Sequence, residues 1–360
     1  MTVASLMVPC SYGEAFDKLT ILQLKLDNIQ DARRADVETE YMALKKIMEH
    51  LLPKTMYHYD RLLEVNRIMW EIQDELHNSL IKSDPMREFD LMRKINDVNE
   101  RRFRIKRTIN TNLGSTLKEQ KGYKGKRAFV LSHLGMGDMF FMNGAIRYLA
   151  TQFDEVMIGV KAEYEKNVRT LYSDEPSVTF YLVYGDTIDI SPNYGGTIDR
   201  LREVADGFDL VAMLGYHGTR NVENFPYCFY KDLGLESKTM MSWAHVETTS
   251  ILPIMTPFRF VHSHASNAEA PIQVDLEEML VINPVKNMYP MGHKWHATAD
   301  KWVDLPILEY VGVMRNAKEC LMVDSSFFCL ALTLGLKPTV WCRNGRSYKN
   351  VCEDLVEHMF

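Results

Sequence analysis

The hydrophobic period of this chain changes once, near residue 121, and that change restricts what each part can fold into. Before it, apolar residues recur three and four positions apart, as in Phe16, Leu19, Leu22, Leu26 and Ile29. That spacing lines one face of an α-helix. A second stripe runs through Val37, Tyr41, Leu44, Met48 and Leu51 and stops before Pro53; a third carries Leu62, Val65, Met69, Ile72 and Leu76. The fourth opens at Ser83-Asp84-Pro85, a capping residue followed by a proline where a helix tolerates one. It continues through Phe89, Met92, Ile95 and Val98 to Ile109. Long amphipathic helices with short connections predict an all-α hairpin or bundle. The basic run RRFRIKR at 101–107 reads as a solvated helix face.

After the polar segment at 121–126, short buried-strand patterns alternate with helical ones. AFVLS at 128–132, EVMIGVK at 155–161, VTFYLVY at 178–184 and DLVAML at 209–214 read as strands, with helices between the first three. A second alternation follows the proline-bearing stretch at 250–257, with strands in FRFVHSHAS, MLVINPV, ECLMVDS and PTVWCR. Strand–helix alternation predicts parallel sheets, and two such units predict an α/β pair of Rossmann type with its ligand at the strands' carboxyl ends. The final segment, SYKNVCEDLVEHMF, reads as a helix tying the two units together. The expected divisions are a helical module over 1–120, an acceptor-side unit over 125–250 and a donor-binding unit over 251–360.

Composition narrows the function. A net charge of −6 argues against generic binding to nucleic-acid backbone. No stretch reaches the roughly 18–20 apolar residues of a membrane span, and the first residues do not read as a secretory leader. The six cysteines form no CxxC pair, which fits reduced thiols and a cytoplasmic location.

Three constellations could carry chemistry. In the first, a strand ends at Ser132-His133 and Gly135-Met136-Gly137-Asp138 turns into a helix. Glycines there permit a sharp turn and close approach of a ligand, and a helix start favours negative charge. Asp138 reads either as the helix cap or as a general base taking a proton from an attacking hydroxyl. In the second, His262 and His264 sit two apart at a strand end and so share one face, with Ser266 in the loop beyond. Imidazole and hydroxyl groups can donate to diphosphate oxygens. In the third, a buried strand runs into Asp324-Ser325-Ser326 at the start of a helix, a ready anion site. Asn283 and Arg343 are further polar candidates at strand ends, and Glu309 is another in the helix before the ECLMVDS strand.

Two resemblances attach to these residues. LGMGDMFFMNGAIRYLA, with its Gly-x-Gly-Asp turn, resembles the ADP-heptose:lipopolysaccharide heptosyltransferase family, whose aspartate at this place is taken as the base. The Asp324-Ser325-Ser326 turn, ending in Leu334-Gly335 before Lys337-Pro338, resembles the donor-binding element of GT-B glycosyltransferases. The resemblance implies a GT-B pair of domains, a nucleotide-diphosphate sugar as donor, a glycan or related hydroxyl acceptor, and inversion at the sugar carbon if Asp138 is the base. GT-A transferases hold a metal with an Asp-x-Asp pair, and this chain has none, so a metal-independent enzyme without a cofactor is expected. The N-terminal third resembles a small bacterial helical family of unknown function, on SYGEAFDKLTILQLKLDNI, Val65–Ile72 and Asn99–Asn110. Its helices offer a surface for self-association, and Gly13, Glu14 and Lys18, at the first helix start, read either as a site or as a structural cap. Two other readings remain: a non-catalytic nucleotide- or glycan-binding scaffold, and a sugar-nucleotide epimerase.

Overall fold

The computed structural model describes residues 8–77, 84–122, 124–132, 135–184, 206–214, 226–236, 239–248, 254–265, 268–343 and 345–360. They fall into two compact units, one of residues 1–126, 150–154 and 174–177, the other holding the rest of the chain.

The first unit is built on α1 (Tyr12–Asn28), α2 (Arg33–Met48), α3 (Leu52–His77) and α4 (Pro85–Asn112). Their apolar stripes meet in one core, in which Phe16, Leu62, Val65 and Ile109 are fully buried. The ends follow the expected chemistry. Ser11 caps α1 by accepting from the Glu14 N–H at 3.2 Å, and Asp84 caps α4 ahead of Pro85. Pro53 occupies the first turn of α3, where no intrahelical N–H is needed. A polar network crosses the core beneath these stripes. Asp17 accepts from Asn66 at 2.9 Å and from Arg102, and Asn66 also donates to Thr20 at 2.8 Å. Gly13 lets α1 touch α4: a side chain there would lie 2.6 Å from the Lys106 carbonyl oxygen.

The second unit holds two parallel sheets. The first comprises β1 (Arg127–Leu131), β2 (Glu155–Lys161), β3 (Val178–Val183) and β4 (Leu210–Met213) in the order β3-β2-β1-β4. The second comprises β5 (Phe258–His262), β8 (Leu280–Ile282), β9 (Glu319–Val323), β10 (Thr339–Cys342) and β11 (Val356–Met359) in the order β8-β5-β9-β10-β11. Between β5 and β8 lies a small antiparallel pair, β6 (His264–Ala265) with β7 (Ala268–Glu269). β1, β8 and β9 read as apolar runs because they are buried along nearly their whole length, whereas β4 and β11 are more exposed. Helices among them are α5 (Met136–Phe141), α6 (Asn143–Ala150), α7 (Glu165–Leu171), α8 (Cys228–Lys231), α9 (Thr239–Trp243), α10 (His296–Asp300), α11 (Val311–Asn316) and α12 (Ser326–Thr333). The architecture is thus a helical region followed by two parallel sheets, a GT-B-like Rossmann pair.

Two local expectations are corrected. The stretch after Gly135 breaks into α5 and α6 at Met142, where the Asn143 side chain accepts from the His245 N–H at 2.8 Å. The C-terminal segment ends in a strand, β11, in parallel register with β10 from Thr339↔Val356 to Cys342↔Met359. Its four residues, Val-Glu-His-Met, are mostly exposed, and His358 stacks on Trp341 at 4.5 Å. Among the described residues no helix is long and apolar enough to cross a membrane.

Candidate functional site

Each sheet reverses its winding once. From β1 the chain steps outward to β2 and β3 and then returns to the other side for β4; from β5 it steps to β8 and returns for β9. Ligands in open α/β sheets bind beyond the carboxyl ends of strands at such reversals. The residues read from sequence at 132–138, 262–266 and 324–326 all follow β1, β5 or β9. His133 and Ser266 lie outside the described residues.

At the second reversal, β5 ends at His262 and β9 runs into Asp324-Ser325. The Ser325 hydroxyl lies 3.0 Å from His262 Nδ1. Phe327 covers the imidazole at 4.6 Å between ring centres. Burial pushes the His262 pKa down to about 4, and the neighbouring His264 pushes in the same direction. This histidine is therefore neutral at ordinary pH. His264 is more open and faces Glu269 at 3.4 Å.

Ser325 occupies the N-cap position of α12 in extended conformation, yet its side chain makes no capping bond to the helix. The hydroxyl is directed to His262 instead, so the first turn of α12 keeps N–H groups for another acceptor. Asp324 is wholly buried and lies between two guanidiniums: Arg343 Nε donates to it at 2.6 Å and Arg346 at 3.4 Å. Arg343 also donates to the Asp324 carbonyl at 2.7 Å. Asp324 and Arg343 thus brace the turn that presents Ser325 and Ser326.

The first reversal brings up α5. Gly135 is its N-cap, with φ of −69°, a value any residue adopts. Its N–H donates to Asp138 Oδ2 at 3.0 Å, and a side chain at Gly135 would meet that oxygen at 2.8 Å. Gly137 is needed for a different close approach. A side chain there would lie 2.9 Å from Cys329 Sγ and 3.8 Å from Ser326 Cα. The glycines expected to admit a ligand instead admit Asp138 and α12. Thr333 Oγ1 donates to the Phe140 carbonyl at 3.2 Å, which extends the α5–α12 contact. The starts of two helices therefore meet, one from each sheet, with Asp138 on one and Ser325-Ser326 on the other. The Cys329 thiol registers the same meeting: burial pushes its pKa well up, and the Asp138 and Asp324 carboxylates add to the rise.

Two expected residues serve other ends. Asn283 accepts from the Val285 and Lys286 N–H groups at 2.8 and 3.2 Å, a turn built on its own side chain. Glu309 is half-buried in the 3₁₀ turn Ile307–Tyr310, which packs against α7. Sequence reading passed over Arg346, although it stands three residues beyond Arg343, the spacing that lets both reach one carboxylate. It also passed over Cys329 and the residues of metal-ligating type Asp174, His245 and Glu247.

Residues 6–130 match a protein family described as a family of unknown function, DUF6165. No curated protein matches the chain. Among solved structures, it is similar to the dodecameric iron-containing heptosyltransferase TibC in complex with ADP-D-beta-D-heptose, at 13% identity and a TM-score of 0.43. That likeness covers 68% of this chain and 65% of the other. A second structure of TibC, the iron-containing dodecameric glycosyltransferase of enterotoxigenic E. coli H10407, matches at 14% identity and 0.42, covering 68% of this chain and 64% of that one. A glycosyl transferase family 9 protein from Veillonella parvula DSM 2008 matches at 10% and 0.39, covering 65% and 85%. The chain thus spans just under two thirds of the length of the two TibC structures.

The expectation of a metal-independent enzyme with no cofactor is withdrawn. In this chain, His245 and Glu247, both in the second unit, bring ligand atoms within 4.8 Å of each other. The missing Asp-x-Asp pair excludes one way of holding a metal on a diphosphate. His245 and Glu247 stand two residues apart on one segment, a spacing different from that pair. Imidazole and carboxylate suit iron, zinc or manganese, and two such ligands make up part of a coordination sphere.

Proposed function

We propose that the chain is a GT-B-type glycosyltransferase that binds a nucleotide-diphosphate sugar at the start of α12 and transfers its sugar to a hydroxyl acceptor. The observation that carries this reading is the meeting of the α5 and α12 starts at the carboxyl ends of two parallel sheets. The diphosphate is met by the N–H groups of α12's first turn and by the Ser325 and Ser326 hydroxyls, with the helix dipole favouring its charge. His262 orients Ser325, and His264 lies nearer solvent, where it can donate to a phosphate oxygen. Asp138 is held by the Gly135 N–H through one oxygen, which fixes its carboxylate at the meeting point. There it serves as general base: the acceptor hydroxyl gives it a proton while the oxygen attacks the sugar carbon and the nucleotide diphosphate leaves. A single displacement of this kind inverts the configuration at that carbon.

The reading is tested by thermal-shift screening of the full chain against nucleoside diphosphates and nucleotide sugars. Stabilisation by a nucleotide sugar, lost in Ser325→Ala/Ser326→Ala, is the expected result. Stabilisation that survives this double substitution would move the donor away from α12.

A further inference from the structure

The basic run at 101–107 does not form the solvated face expected of it. Arg104 and Lys106 are only 6% and 9% exposed. Two cavities, of about 250 and 240 Å³, lie along this part of α4 within the first unit and share Arg107, Thr111 and Asp154 as common wall. Lys106, Lys118 and Lys121 also line one, and Arg104 lines the other.

The charge on these walls is one-sided. Five cations stand against two carboxylates, Glu119 and Asp154. Beyond the lining, Glu14 and Glu100 pair with Lys106 and Lys121 at 2.5 Å each, Glu100 also lies 3.4 Å from Arg104, and Glu175 accepts from Thr108 and Ser177, so the positive excess belongs to the lining residues themselves. Asp154 answers two guanidiniums at once, Arg104 at 3.2 Å and Arg107 at 3.3 Å. A second observation points to a ligand: Arg104 Nε is buried and finds no hydrogen-bond partner among the described residues. A buried donor of that kind is costly when unmet and is rarely left so.

We propose that these joined cavities bind a phosphate monoester, with the phosphate at Arg104 and Arg107 and the organic part in the neighbouring cavity. Guanidinium forks match phosphate oxygens in pairs, and a dianion answers the excess of positive charge better than a single carboxylate does. The cavity volumes suit a small solute rather than a polymer. The site belongs to the helical unit and does not depend on the transferase reading above.

The test is calorimetric titration of the full chain with inorganic phosphate, and separately with acetate at equal ionic strength. Phosphate is expected to bind, acetate much more weakly. Arg107→Gln should weaken phosphate binding roughly tenfold or more, as loss of a charge-assisted contact does. Lys46→Gln, which removes an exposed charge on α2, should leave it unchanged. Arg107 is half exposed and its replacement should fold; if it does not, Lys118→Gln on the exposed rim serves the same comparison. Absence of binding heat, equal weakening by Lys46→Gln, or loss in Ser325→Ala alone would overturn the proposal, the last by placing the phosphate at α12. Equal binding of acetate would overturn the assignment to phosphate.

Discussion

The Ser325 hydroxyl lies 3.0 Å from Nδ1 of His262, and this bond joins the carboxyl ends of β9 and β5 where the second sheet reverses its winding. It diverts the serine from capping α12 and leaves the helix start available to an anion. The same burial that holds the pair together keeps the imidazole neutral. One contact thus links topology, an unfilled helix start and a protonation state.

That protonation state has a pH signature. Burial, and secondarily His264, place the folded His262 pKa at about 4, against 6.5 for the ordinary group. Above 6.5 both folded and unfolded chains hold it neutral, so stability does not change on its account. As pH falls from 6.5 towards 4 the unfolded chain takes the proton first, and roughly 3 kcal/mol of stability is lost across that window. Urea unfolding at pH 7 and pH 4.5 should show this loss, and His262→Gln should remove much of the difference. A His262 ring proton titrating near 6.5 by NMR would contradict the burial account.

Gly137 and Gly13 make a contrasting pair. Gly137→Ala meets a side-chain atom, Cys329 Sγ, at 2.9 Å and should cost about 1–3 kcal/mol. Adding Cys329→Ala should recover most of that, because the neighbours that remain, Cys329 Cβ and Ser326 Cα, stand at 3.7 and 3.8 Å. Gly13→Ala meets the Lys106 backbone carbonyl at 2.6 Å, and no side-chain substitution should rescue it. Denaturant midpoints of the two singles and the double decide the matter. Absence of coupling between 137 and 329 would mean that α5 and α12 are not packed as described.

Asp324 should behave as a structural acid. Its carboxylate is wholly buried against Arg343 and Arg346, and Asp324→Ala should cost about 3–5 kcal/mol by leaving buried positive charge unmatched. Arg346→Gln should cost less, since its bond is longer and its side chain more exposed. Chemical denaturation checks both, and a near-neutral Asp324→Ala would remove the brace from the Ser325 turn.

Much of this architecture is legible in the sequence. The stripe Phe16-Leu19-Leu22 gave α1 because a 3.6 period has one interpretation over that length, and EVMIGVK gave β2 residue for residue. The C-terminal strand was not legible, since Val-Glu-His-Met is neither an apolar run nor a period-two pattern, and the charged residues before it also suit a helix. The site divided in the same way. Asp324-Ser325-Ser326 announced a helix start, because capping chemistry is local. That Asp324 faces arginines while Ser325 faces a histidine depends on β5 and β10 flanking β9, and pairing across 60 residues leaves no local mark. Gly137 was read as a ligand approach for the same reason: its true neighbour, Cys329, is remote in sequence.

The central claim, that Asp138 is the base of a glycosyl transfer at the meeting of α5 and α12, is tested most directly by Asp138→Asn. Asparagine keeps an oxygen for the Gly135 N–H, so the helix start should survive with little change in melting temperature. Single-turnover rates with the nucleotide sugar that stabilises the wild type should fall by about 10²–10⁴-fold while its affinity stays the same. Unchanged turnover with a lowered melting temperature would make Asp138 a helix cap alone and contradict the assignment.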